Sequence, residues 1–287
     1  MTRQHFPAFD NASIAETRNA LHDYARVLGD WLKHCRAKRK HWWHASLRPS
    51  LNGLTTGVIH ADIDFELELN LRENLLQART SSGQQLSEIL QGQPASELAN
   101  SIERFLITNG ISKQTITDRK VSYENTKAHP DFSAIHALTI AQALNSVFSV
   151  MDTFRASIRE ETSPIQLWPH HFDLSMLWLP GEKIPGQDPA NEEYADKQMN
   201  FGFTFGDESI PEPYFYVTAY PLPDALPKLS LPAGASWQTE GFNGAVLSWQ
   251  SLIKSTDPTN SLIELWNSLL SAGQKHLIAN QTEGTLQ

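Results

Sequence analysis

Apolar residues recur along the chain first at helical and then at strand spacing. Ile14, Leu21, Tyr24, Leu28, Trp31, Leu32 and Cys35 keep to one face of a 3.6-residue repeat behind a Ser13–Glu16 capping box, and predict a helix. The period then drops to two. Ile63, Phe65, Leu67, Leu69 and Leu71 alternate with Asp62, Asp64, Glu66, Glu68 and Asn70, which predicts a strand with one buried and one solvated face. A turn near Glu73 and Asn74 leads to a return strand that Ser82 and Gly83 close, and residues 53–60 supply another, so an antiparallel meander is expected.

Helical spacing returns after the meander. Ser96 opens a helix with Leu98, Ile102, Phe105 and Leu106 inward, stopped at Asn109 and Gly110. Asp131 or Ser133 opens a longer one, whose Ile135, Leu138, Ala141, Leu144, Val147, Phe148, Met151, Phe154 and Ile158 form a broad apolar face suited to packing on a sheet. Residues 165–179, 199–205, 214–220 and 243–249 are short, aromatic or β-branched runs bounded by Pro, Gly or Asn, and predict strands. A last helix is capped by Asp257, has Pro258 in its first turn, turns Leu262, Ile263, Trp266, Leu269 and Leu270 inward, and is expected to stop at Gly273.

Strands and helices thus come in blocks. This favours an α+β fold with antiparallel β-sheets and helices packed on one side, over a doubly wound parallel sheet. The chain reads as a single compact unit, 1–287, with an N-terminal half of about 1–128 and a C-terminal half of about 129–287, each running from strands to helix.

Composition narrows the function classes. The net charge of −9 excludes nucleic acid as the main partner, since phosphate binding needs a basic face. The exception is residues 33–40, with five Lys and Arg, read as either the solvated end of the first helix or a docking patch for an acidic partner. Cys35 is the single cysteine, so no internal disulfide forms. The opening residues lack an apolar secretory core, and no uncharged run reaches the ~20 residues that span a bilayer, so a soluble cytoplasmic protein is expected.

The candidate chemistry centres on residues 167–181, where His170, His171 and Asp173 interrupt an apolar run. On a strand, His171 and Asp173 would share a face, and an aspartate so placed can orient an imidazole for acid–base work or join it on a metal. Further ligands must come from elsewhere: His41 and His44 of the His-Trp-Trp-His run, or His60 with Asp62 or Asp64. The expected catalytic set is His171, Asp173 and His44; the expected ligand-binding set is His41, Trp43, His170, Glu212 and Tyr214, with a divalent metal as the candidate cofactor. Residues 180–198, long and rich in Pro and Gly, read as a lid or a mobile loop. There is no nucleophile elbow, P-loop, H-E-x-x-H or dinucleotide glycine motif, and the spacing after His171 does not fit the H-H-x-x-x-D-G signature of acyltransferases.

The chain resembles a mainly bacterial family classed as a domain of unknown function. The resemblance is carried by His41-Trp42-Trp43-His44, Gly53-Leu54-Thr55-Thr56, Asp64-Phe65, Thr80-Ser81-Ser82-Gly83, Phe154-Arg155, Ser163-Pro164, Phe172-Asp173-Leu174 and Tyr216 through Tyr220-Pro221. It implies a full-length, single-unit protein and no particular activity. Where the family has W-G-S-F-D, this chain has Trp168-Pro169-His170-His171-Phe172-Asp173, so a shared site falls on His41, His44 and Asp173. The reading that follows is a small-molecule-binding or hydrolase-like protein with a His/Asp-lined pocket. The alternative is a non-catalytic protein-interaction module that uses surface aromatics.

Overall fold

The computed structural model describes residues 6–191 and 193–278. The opening segment tested for a secretory core therefore lies partly outside the described residues, as does residue 192 of the expected lid. The helices are α1 (Asn11–Cys35), α2 (Ala95–Thr108), α3 (Lys113–Thr117), α4 (Ala134–Ala156), α5 (Trp249–Ile253) and α6 (Pro258–Leu277). The strands of the first half are β1 (Arg48–Pro49), β2 (Gly53–Thr55), β3 (Ile59–His60), β4 (Asp64–Asn70), β5 (Leu75–Thr80) and β6 (Gln85–Ile89). Those of the second are β7 (Glu161–Thr162), β8 (Gln166–Trp168), β9 (Asp173–Leu179), β10 (Gln198–Thr204), β11 (Tyr214–Tyr220), β12 (Ala235–Gln238) and β13 (Gly244–Ser248). A 3₁₀ arch, Lys40–Ala45, follows α1.

The described chain forms two antiparallel sheets with helices, the α+β class that the blocks predict. It divides into two compact units, residues 1–149 with 165–175, and residues 150–164 with 176–287. In the first unit the sheet runs β1-β2-β4-β5-β6, with β3 also on β4. α1 starts at Asp10, whose carboxylate accepts from the Ser13 amide; the cap is thus Asp10, three residues before the expected Ser13. Its apolar face buries Leu21, Tyr24, Leu28, Trp31 and Leu32, and Trp31 meets Phe65 of β4 edge-on at 5.3 Å. α2 begins after Pro94, ahead of the expected Ser96 cap.

The polar face of β4 is less solvated than its alternation suggests. Glu68 is buried, where Ser50 Oγ (3.0 Å) and Arg79 Nη1 (3.1 Å) donate to its carboxylate, and Glu66 accepts from Thr55 Oγ1 at 2.6 Å. Buried carboxylates persist only with such partners. At the turn into β5, Asn74 takes a left-handed conformation that asparagine tolerates well.

In the second unit the strands order as β12-β13-β11-β10-β9-β7. Its core is aromatic: Phe154, Phe201, Phe203, Phe215, Trp249 and Trp266 are all buried, with ring centroids 5.0 Å apart for Phe154–Phe201 and 5.2 Å for Phe154–Trp266. α6 carries the expected Asp257 cap, which accepts from the Asn260 amide, and Pro258 at its start. It does not stop at Gly273 but continues to Leu277, because Gly273 is a contact position: a Cβ there would lie 2.1 Å from Met199 Sδ. α4 is long and apolar enough to cross a membrane by length and composition, and half of its most apolar window is buried within the fold.

Gly29, inside α1, has a similar role in the first unit. A Cβ at Gly29 would fall 2.7 Å from both Cβ and Cγ of Pro169. Alanine normally favours a helix interior by about 1 kcal/mol over glycine. Against a rigid proline ring the overpacking cost of about 1–3 kcal/mol outweighs that gain. Gly29→Ala is therefore expected to lower stability in urea unfolding, while Gly273→Ala, facing a flexible methionine, loses less. A Gly29→Ala protein at least as stable as the parent contradicts the close approach.

Candidate functional site

Residues 165–179 are not one strand. β8 ends at Trp168, residues 169–172 turn, and β9 starts at Asp173, paired with Trp168. The reason is local: Pro169 cannot donate to a ladder, and the amides of His171 and Phe172 both turn back to the Trp168 carbonyl, at 3.3 and 2.7 Å. Phe172 completes the turn with φ of +57°. This corrects the expectation that His171 and Asp173 share a strand face. His171 is exposed at the turn, Asp173 is buried at the start of β9, and no hydrogen bond joins them. Proline within an alternating run was the signal for this break.

The turn lies on α1. Phe172 stacks on His22, with centroids 5.7 Å apart and planes inclined 23°, and the His22 imidazole is held by the backbone of His170 and Pro169. His22, Gly29 and Lys33 share a helix face, at i, i+7 and i+11. Sequence reasoning passed over His22 and Gly29, and took Lys33 only as part of the basic run 33–40; the glycine in a helix interior was the available clue. Burial lowers the pKa of His22 from its ordinary value, which the backbone bonds partly offset.

His170 is exposed as a residue, yet its ring packs edge-on to Trp168 at 6.0 Å and against His171 at 4.3 Å. Its pKa is pushed down to about 4, first by desolvation and then by the positive charges of His171, Lys33 and His22.

The second segment is the arch. His41 and Trp42 are both left-handed, with φ of 52° and 59°. The expected choice between helix and strand for this run is resolved as neither, because two successive left-handed residues curl the backbone sharply. His41 and His44 are buried and Trp42 is exposed. His44 Nδ1 accepts from the Arg39 amide at 3.2 Å, so in the neutral ring its proton resides on Nε2. Trp42 stacks on His44 at 5.6 Å, and the ammonium groups of Lys38 and Lys40 lie 5.4 Å from the ring centroids of Trp42 and Trp43, respectively.

Backbone pairing joins the two segments. Leu47 and Leu167 form an antiparallel bridge, with N–H···O distances of 2.9 and 3.0 Å. From that bridge the chain runs back from 47 towards the arch in the same direction as it runs forward from 167 towards the turn. Gln166 Nε2 makes a long contact, 3.4 Å, with the Trp43 carbonyl. The structure thus brings His41, Trp43 and His44 onto the same small assembly as the turn with His170, His171 and Asp173.

The other expected site residues lie elsewhere. His60 is exposed and paired with Asp64 at 2.8 Å, while Asp62 accepts from the Ser112 amide. Glu212 is exposed in the second unit, where Tyr214 donates to Asp207. Residues 180–198 are tied by a Lys183–Asp196 ion pair of 2.6 Å and by the Ile184–Ala195 backbone bond of 3.0 Å, so the connection is laced together across its width rather than an open loop. Among the described residues no group of three or more His, Cys, Asp or Glu side chains is placed to hold a metal ion. The described recesses lie apart from the arch and the turn. One of them, about 370 Å³, is polar and lies between Asp23 and Arg26 of α1 and residues 121–127.

Residues 6–282 match the model described as "Family of unknown function (DUF5996)". The chain belongs to this family. No curated protein and no solved structure gives a match. Membership of DUF5996 covers both the arch and the turn.

The depressed His170 pKa makes a prediction for this DUF5996 protein. The unfolded chain binds a proton on this ring near 6.5 and the folded one only near 4, so stability falls as the pH drops through that window. In a ring-nitrogen NMR titration His170 should stay neutral at pH 5.5, and His171→Gln should move its midpoint upward. A midpoint near 6.5 in the parent protein contradicts the packing described.

Proposed function

We propose that the chain binds a small-molecule ligand, at a site formed by the Lys40–Ala45 arch and the turn of residues 169–173. One observation carries this reading. Four described non-glycine residues have positive φ: His41, Trp42, Asn74 and Phe172. Asparagine and histidine adopt this conformation more readily than most residues, whereas the bulky Trp42 and Phe172 each bear roughly 1–2 kcal/mol of strain. Both bulky residues, Trp42 in the arch and Phe172 in the turn, fall in the two segments joined by the Leu47–Leu167 bridge. Strain of this kind is retained where the surroundings enforce it, and it collects at ligand clamps and active sites.

In this reading His41, Trp43, His44 and His170 contact the ligand, with His171 and Asp173 flanking it. A hydrolase-like version would use His171 to move protons beside the Asp173 charge. Ligand binding has the better support, because the two side chains are not hydrogen-bonded to each other.

Trp42→Gly separates function from stability. The substitution relieves left-handed strain at an exposed position, so stability should change by less than about 1 kcal/mol, against the ~3–5 kcal/mol that a core tryptophan costs. Ligand binding, followed by nitrogen–proton NMR during a metabolite screen, should perturb residues 41–44 and 169–173 together in the parent and fail in Trp42→Gly and His44→Gln. Ligands that perturb only other regions would remove the proposal.

A further inference from the structure

We infer that β6 is the interface of a two-fold dimer, pairing antiparallel with β6 of a second copy of this chain about Ser87. This surface shares no residue with the arch or the turn and is independent of the ligand site.

β6 ends the first sheet and has β5 on one side only. The register fixes which of its backbone groups are already used. Thr80 N–H donates to the Gln84 carbonyl and Leu90 N–H to the Asn74 carbonyl, each at 3.0 Å, so the even-numbered residues face β5. The amides and carbonyls of Gln85, Ser87 and Ile89 then point away from the sheet. The Ile89 carbonyl accepts from Gln93 Nε2 at 2.7 Å, and a carbonyl oxygen has a second lone pair to offer. No turn, loop or side chain bonds to the backbone of Gln85 or Ser87 among the described residues.

Proteins guard such edges with very short strands, lysine, proline or a covering element. The other edge strands, β1, β7 and β12, have two, two and four residues, against five in β6. β6 contains neither lysine nor proline, its Gln85 and Ser87 are exposed, and Ile89 is 62% exposed. An edge of this kind recruits another strand.

Self-complementarity selects a second copy as that strand. Centred on Ser87, the pairing sets Ser87 on its counterpart and Gln85 on the partner's Ile89, each pair exchanging both backbone bonds. Leu86 falls opposite the partner's Glu88, so no like charges meet directly. Beside the edge lies a groove of about 300 Å³, lined in part by Leu86 and Glu88 of β6 and by Ser101, Arg104, Phe105 and Thr108 of α2. These α2 residues recur at i, i+3, i+4 and i+7, so one stripe of the helix overlooks the edge. Arg104 donates to Ser101 Oγ, and neither Arg104 nor Glu88 forms an ion pair among the described residues. A two-fold axis at Ser87 joins the two grooves. Each copy brings one glutamate and one arginine to the axis, where the charges balance, and Leu86 and Phe105 supply apolar area.

The test is the mass of the full chain in solution, measured by sedimentation over a range of concentrations. At about 100 μM, above the micromolar Kd of a modest interface, the parent is expected at twice the chain mass. Ser87→Pro removes an outward amide and leaves the β5 ladder intact, so it should keep the parent's circular dichroism spectrum and sediment as a single chain. Arg104→Glu leaves only carboxylates at the axis and should weaken the dimer by about ten-fold or more, and adding Glu88→Arg should restore it. Should Ser87→Pro fail to fold, this charge exchange decides alone. Hydrogen exchange at the Gln85 and Ile89 amides should be slow in the parent dimer and fast in Ser87→Pro. A parent of single-chain mass throughout overturns the inference. So does a dimer that keeps its strength in Arg104→Glu and leaves those two amides exchanging fast.

Discussion

Two backbone hydrogen bonds between Leu47 and Leu167 hold the first unit's candidate site together. They couple residues separated by 120 positions of chain, and both leucines are fully buried, so the pair is shielded from competition by water. Everything at the site is referenced to that bridge. On one side the chain enters the arch, and on the other it enters the turn that Pro169 presses into the gap left by Gly29. A bridge of this kind fixes backbone position, and the two segments it joins hold Trp42 and Phe172 in left-handed conformations that bulky side chains disfavour.

Much of the fold was legible because it rests on repeats that a sequence displays directly. The α1 face, the β4–β5 alternation and the Asp257–Pro258 start of α6 all follow from local chemistry. The misreadings share a cause. Residues 165–179 alternate like a strand, but alternation does not register that Pro169 breaks the ladder or that Phe172 turns left-handed. Residues 41–44 carry no helical or strand preference strong enough to resist the bridge two residues beyond the arch. Glu68 reads as solvated until Arg79 and Ser50 close over it. Gly29 and Gly273 look like helix defects or stops, and are instead places where another segment comes near.

His41, Trp43, His44, His170, His171 and Asp173 do belong to neighbouring segments of one unit. His44 accepts from a backbone amide, His170 is held neutral first by desolvation and then by positive neighbours, and His171 faces solvent. What the segments share is left-handed backbone at a bulky aromatic residue, Trp42 in one and Phe172 in the other.

The most direct measurement is a crystal structure of the protein at a resolution that defines each backbone torsion. The account predicts left-handed His41, Trp42 and Phe172, near the φ values of 52°, 59° and 57°, with the Leu47–Leu167 bonds intact. Right-handed or extended torsions at those three residues, or an arch parted from the turn, would contradict it.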